Sequence, residues 1–206
     1  MFYTAAWSVC LLSLKMLFGF RVHGRRNVPR TGGVILAVNH ASYLDPVVVG
    51  CGLTRPVHFM ARATLFQGLL GVLIRRLNAF PVERGGADRR AVKEFLARVD
   101  AGRAVMLFPE GTRTRDGVLQ GFMPGVGALA VRAAAPVVPT YVAGTFAAWP
   151  RHRSLPRPAP VSIYFGRPME VGRREGESKR AQQDRVREEI ARRLRALEAH
   201  AKRRRP

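Results

Sequence analysis

Asn39-His40-Ala41-Ser42-Tyr43-Leu44-Asp45 sets a histidine five residues before an acid, directly after the apolar run Val34–Val38. An imidazole with an ordinary pKa of about 6.5 can take a proton at neutral pH, and an acid on its other nitrogen fixes the tautomer and stabilises the imidazolium. Five positions would separate the two side chains on a regular helix, but His40 in a turn and Asp45 in the first helical turn can converge. His40 and Asp45 are therefore a candidate general-base pair. The same residues also fit a structural account, because Ser42-x-x-Asp45 has the form of a capping box whose side chains satisfy backbone amides at a helix start.

Two further clusters have a similar character. Phe108-Pro109-Glu110-Gly111-Thr112-Arg113-Thr114-Arg115 follows Ala104–Leu107. Pro109 and Gly111 shape a turn, the Thr112 hydroxyl can donate, and Arg113 offers a planar fork for a phosphate or carboxylate. A solvated polar hairpin is the bland alternative. In "AFPVERGG", Glu83 and Arg84 precede a Gly pair, and Arg84 is either a second phosphate ligand or a surface arginine.

Each cluster terminates a short apolar run, and the runs alternate with helical stretches. Strands are predicted at Val34–Val38, Val57–Met60, Ala79–Val82, Ala104–Phe108, Val137–Tyr141 and Val161–Phe165. Helices are predicted at Asp45–Gly52, Leu65–Arg76, Ala87–Asp100 and Gly125–Ala134. This βαβα order implies a single α/β domain with a mostly parallel sheet flanked by helices. Right-handed crossovers would gather the strand carboxyl ends, and with them all three clusters, on one edge.

The ordered motifs resemble those of the glycerolipid acyltransferase family, which includes the 1-acylglycerol-3-phosphate (lysophosphatidic acid) acyltransferases. The family's Asn-His-x-Ser-x-x-Asp motif is matched by Asn39 to Asp45, and its Phe-Pro-Glu-Gly-Thr-Arg motif by Phe108 to Arg113. An apolar strand closing on arginine is matched by Phe80-Pro81-Val82-Glu83-Arg84, and a proline-bounded strand by Pro136-Val137-Val138-Pro139. Two departures stand out. Met123 follows Phe122 where many relatives carry lysine, and Asn78 replaces a glycine common before the second motif.

The resemblance implies a glycerol-3-phosphate acyltransferase-like fold and O-acyl transfer to the sn-2 hydroxyl of 1-acylglycerol-3-phosphate, giving phosphatidic acid. His40 would remove the hydroxyl proton, and the oxygen would attack the thioester of acyl-CoA or an acylated carrier protein while Asp45 holds the imidazole. Arg84 and Arg113 would grip the acceptor phosphate. Glu110 and Thr112 would order their loop or contact the glycerol, and amides near Gly111 would help an oxyanion. No cofactor and no metal is expected, since the acyl donor is a substrate. Another lysophospholipid or a lyso-aminolipid is the alternative acceptor.

Composition agrees with an anionic partner. The 206 residues carry a formal net charge of +21, and 206 residues suffice for one well-buried domain. Cys10 and Cys51 show no CxxC spacing, and the compartment reads as reducing. The first twenty residues are nearly all apolar. As a helix they place Thr4, Ser8 and Lys15 on a narrow stripe and leave a broad apolar face with Phe2, Trp7 and Leu14. Such a helix suits a membrane, whether crossing it or lying in its interface, or else a core packed on the domain. Arg21, Arg25 and Arg26 would hold that end at the cytoplasmic face of the cell membrane. The expected division is 1–26 as the membrane-associating helix, 27–175 as the acyltransferase domain and 176–206 as a basic C-terminal helix and tail. Val186, Ile190, Leu194 and Leu197 form a helical stripe there, expected to pack on the domain or to make a second membrane contact. Nucleic-acid binding is the reading from another class; the charge favours it, but no motif for base or backbone recognition is present, and no nucleic-acid partner is expected.

Overall fold

The computed structural model describes residues 2–83 and 88–204. Seven helices and seven strands occur in the order α1 (Phe2–Phe18), β1 (Arg21–His23), β2 (Val34–Val38), α2 (Asp45–Gly52), β3 (Val57–Arg62), α3 (Gly68–Arg76), β4 (Ala79–Val82), α4 (Arg89–Asp100), β5 (Ala104–Leu107), α5 (Gly125–Ala133), β6 (Val137–Ala143), α6 (Thr145–Ala148), β7 (Ser162–Phe165) and α7 (Lys179–Arg203) among the described residues. The strands form one sheet in the order β1-β7-β6-β2-β5-β3-β4. β2 to β6 run parallel, β7 runs antiparallel to β6, and β1 runs parallel to β7. The chain is thus an α/β domain with a mostly parallel sheet.

The apolar runs become strands because both faces of the sheet are covered, as a parallel sheet requires. On one face α1 and α2 pack Leu14, Phe18, Val48, Val49 and Cys51 over alternate residues of β2 and β5. On the other, α4, α5 and α7 pack Phe95, Val126, Ala130, Val186, Ile190 and Leu194. α2 leaves β2 toward the first face and α5 leaves β5 toward the second, although β2 and β5 are neighbours. This reversal opens a crevice at their carboxyl ends.

Several sequence expectations are refined. The predicted helix over Leu65–Arg76 divides into a 3-10 turn at Ala63–Leu65 and α3 from Gly68, where Gly68 takes a φ of +55°. β3 and β6 run two residues further than expected, to Arg62 and Ala143, while β5 stops at Leu107. Neither β1 nor α6 is visible in the residue pattern. The C-terminal stripe packs on the domain: Val186, Ile190 and Leu194 are fully buried, and Ala201 rather than Leu197 continues the buried line. α1 is 17 residues long, or about 25 Å of helix, and among the described residues no helix is long and apolar enough to cross a membrane. Trp7 and Leu14 do not share an outward face with Phe2. Leu14 is buried and Trp7 Nε1 donates to Gly50 O at 3.1 Å, whereas Phe2 is exposed.

Candidate active site

His40 follows β2 by two residues, and its ring lies against the first turn of α2. Its Nδ1 is 2.9 Å from Asp45 Oδ2. That oxygen also accepts the backbone N–H groups of Ala41 at 2.7 Å and Ser42 at 2.8 Å. The general-base and capping accounts therefore coincide in one carboxylate. Asp45 caps the turn that carries His40 and receives the imidazole with the same oxygen. The box is not fully reciprocal, because Ser42 Oγ accepts from Leu44 N at 3.0 Å and donates to Trp149 O at 2.6 Å. Asp45 is fully buried, and its Oδ1 has no hydrogen-bond partner among the described residues. Holding Nδ1 as the protonated nitrogen leaves the Nε2 lone pair to accept a proton. The His40 side chain keeps 16% of its surface exposed, so a substrate can reach it.

The loop after β5 grips His40 from the other side. Glu110 Oε1 accepts the His40 backbone N–H at 2.6 Å, and Thr114 N donates to His40 O at 2.9 Å. The Phe108 ring stacks on the imidazole, with centroids 3.8 Å apart and planes 17° from parallel. Glu110 Oε2 accepts from Gln120 N at 2.8 Å, which ties the following segment to the same carboxylate. Burial pushes the Glu110 carboxyl up to about 7, against the lowering effect of its two N–H bonds.

Gly111 turns this loop with a φ of +67°, a conformation glycine adopts freely. Its N–H donates to Phe108 O at 3.0 Å, so that amide is engaged within the turn rather than offered to an oxyanion. A Cβ at Gly111 would meet Met123 Sδ at 2.2 Å. Thr112 is exposed on the same turn. The Arg113 guanidinium lies 3.6 Å over the Tyr43 ring, and its Nη1 is buried without a partner among the described residues. A planar cation held on an aromatic face with a free buried donor suits an anionic oxygen. Arg84 lies outside the described residues.

The spacing of His40 and Asp45 and the Glu110–Arg113 turn was readable, and the structure brings them together. Four contributors were not singled out. Phe108 covers the imidazole, and Tyr43 carries Arg113. Trp149 flanks Tyr43 at 5.4 Å between centroids. Asn39 exchanges two hydrogen bonds with the Val142 backbone, at 3.1 and 2.7 Å, fixing the strand end to β6. Of these, Asn39, Tyr43 and Phe108 lie inside the motifs, and only their packing reveals the role. Cysteine is a poor nucleophile here, since burial pushes the Cys51 thiol up to about 12.

Residues 19–143 match the family described as Acyltransferase. The chain belongs to that family. It is 30% identical over 144 residues to the 1-acyl-sn-glycerol-3-phosphate acyltransferase of Bacillus subtilis, covering 67% of this chain and 71% of that one. It is 30% identical over 135 residues to the enzyme of the same name from Limnanthes douglasii, covering 64% of this chain and 48% of that one, so it spans about half the length of the plant relative. The crystal structure of the 1-acyl-sn-glycerophosphate (LPA) acyltransferase PlsC from Thermotoga maritima superposes with a TM-score of 0.76 at 25% identity, over 96% of this chain and 80% of that one. In this acyltransferase the candidate pair, His40 and Asp45, lies within the matched residues, as does the Glu110–Arg113 turn.

Proposed function

We propose that this acyltransferase moves a fatty acyl group from acyl-CoA or an acylated carrier protein to the sn-2 hydroxyl of 1-acylglycerol-3-phosphate, giving phosphatidic acid at the cytoplasmic face of the cell membrane. The observation that carries this reading is the His40–Asp45 contact of 2.9 Å, with Arg113 stacked on Tyr43 of the same motif and its buried Nη1 without a partner among the described residues. His40 Nε2 takes the proton of the acceptor hydroxyl as its oxygen bonds to the thioester carbonyl carbon. The buried Asp45 carboxylate stabilises the imidazolium formed at that moment. Collapse of the tetrahedral adduct breaks the C–S bond, and the imidazolium returns its proton to the departing thiolate. The acceptor is itself the nucleophile, so no acyl-enzyme forms and no cofactor takes part.

Arg113, with Arg84 as the second cation expected from the resemblance, binds the acceptor phosphate. Glu110 acts on His40 rather than on the glycerol, since both its oxygens are engaged by backbone amides. Met123 bears on acceptor choice. It is 54% exposed beside the Gly111 turn, so the position offers a thioether where many relatives carry a cation. The test is acyl transfer by purified protein in lipid micelles, followed by mass spectrometry, with acyl-CoA and acyl-carrier donors and a panel of lysolipid acceptors. Phosphatidic acid should form from lysophosphatidic acid faster than any product forms from zwitterionic or amino lysolipids. Preferential conversion of a phosphate-free acceptor would remove Arg113 from the role given to it.

A further inference from the structure

The helical layer on the α1–α2 side of the sheet exposes an apolar surface that the fold does not use. α1 is apolar on two sides. Tyr3, Cys10, Leu14 and Phe18 turn inward, and Tyr3 Oη accepts from Val57 N at 3.3 Å. Phe2, Val9, Leu12 and Met16 lie on the opposite side and are exposed, Met16 at 77%. α3 reverses the usual arrangement of an amphipathic helix. Its only buried residue is Gly71, whose missing side chain lets the helix lie against the Phe66 backbone, while Leu69, Val72 and Leu73 share the outward face. Leu69 is 90% exposed. The Arg76 guanidinium lies 5.4 Å from the Phe2 ring centroid and links the two helices.

Chain direction brings this surface to the catalytic edge. α1 begins beside the start of β3, at Val57, and ends where Phe18 O accepts from Val161 N, next to the carboxyl end of β6. α3 follows the carboxyl end of β3 and runs back toward the start of β4. The two helices are therefore antiparallel on one layer. Met16 and Leu17 of α1, and Leu65 and Leu69 before and within α3, stand nearest the edge where His40 lies.

Charge selects the occupant. Residues 1–82 contain nine Lys and Arg and one acid, Asp45, which is fully buried. Arg25, Arg55 and Arg75 bond backbone carbonyls, and Lys15, Arg62, Arg75 and Arg76 are exposed around the apolar stripes. A second copy seated on this face would oppose two surfaces of the same sign, whereas anionic headgroups complement it. Large exposed apolar patches rimmed by cations are the mark of helices lying in a membrane interface.

We propose that α3, together with the outward stripe of α1, docks this layer flat on an anionic bilayer. The sheet then lies parallel to the membrane and the catalytic edge opens sideways at the headgroup level. The proposal rests on the lipid acceptor proposed above and deepens it, since α3 becomes a second anchor and sets the orientation from which a lysolipid reaches His40. The test is sedimentation of the full chain with phosphatidylcholine vesicles, with and without phosphatidylglycerol, beside two variants of equal net charge. Leu69→Glu/Leu73→Glu alters the docking face, and Arg132→Glu alters α5 on the opposite layer. Wild type and Arg132→Glu should bind the anionic vesicles, less tightly at high salt, and the double variant should bind about tenfold more weakly or worse. The double variant should still acylate a short-chain acceptor dissolved below its micellar concentration, which separates loss of docking from failure of the proposed reaction. Equal binding by the double variant and wild type would overturn the proposal. So would a wild-type dimer that the double variant dissolves into monomers, because a second copy would then cover the face.

Discussion

At the residue scale, His40 is held both by its ring and by its backbone. Asp45 takes Nδ1, Phe108 covers the ring, and Glu110 and Thr114 clamp the N–H and carbonyl of its own residue. Glu110 is thus a positioning residue whose cost is visible in pH. Its folded pKa of about 7 lies above the unfolded value of about 4.3, so in that window the folded state binds more protons than the unfolded. Stability from this group is full below the unfolded value and falls as pH rises through 7. Glu110→Gln lacks the titration and turns an amide N–H toward one of two backbone donors, with an expected loss of about 1–3 kcal/mol. Urea midpoints measured from pH 4 to 8 should show the wild-type advantage shrinking as pH rises; a constant difference would refute the coupling. Arg113 is held by Tyr43. Tyr43→Ala should raise the apparent KM for the phosphate acceptor about 2–30-fold and leave that for the thioester unchanged, while Tyr43→Phe keeps the ring and the wild-type value.

At the element scale, the departure at Asn78 has a backbone reason. Its φ is +67°, in the left-handed region where glycine is free and asparagine is the least strained alternative. Asn78→Gly should be near neutral, and Asn78→Val should cost about 1–3 kcal/mol in thermal or urea unfolding. α7 shows what an arginine-rich helix can do as core: Leu194 is fully buried against the sheet. Leu194→Ala should cost about 2–5 kcal/mol, a value outside the range of a surface helix. Most of the sheet was legible, because β2, β4 and β5 are short apolar runs followed by polar clusters, and β3 and β6 are mostly apolar despite His58 and Thr140 within them. β1 was not. Arg21-Val22-His23 has no strand signature and exists only by pairing with Ser162 to Tyr164, far along the chain. The break before α3 was hidden too, since the apolar residues there repeat at helical spacing for the sake of an outward face. Within the site, the His40–Asp45 pair was readable as a spacing, whereas the stacking of Phe108 and Tyr43 depends on loops meeting across the crevice, which no local pattern encodes.

At the scale of the whole molecule, the two faces of the sheet have different tasks. One layer supplies most of the deeply packed helix surface, through α4, α5 and α7; the other is thin, cationic and apolar on its outside. The formal charge of +21 complements the anionic surface of the docking proposed above, and on that proposal vesicle binding should weaken steeply between low and high salt while the rate on a dissolved acceptor changes little. The crevice between β2 and β5 joins the two layers, and everything assigned to it depends on His40 as the base. The most direct measurement is therefore the acyl-transfer rate of His40→Ala beside wild type, with circular dichroism confirming that both are folded. A loss of about 10² to 10⁴ in turnover, with acceptor binding retained, is the predicted result. Turnover within a few-fold of wild type from folded His40→Ala would contradict the account and leave Asp45 as no more than the cap of α2.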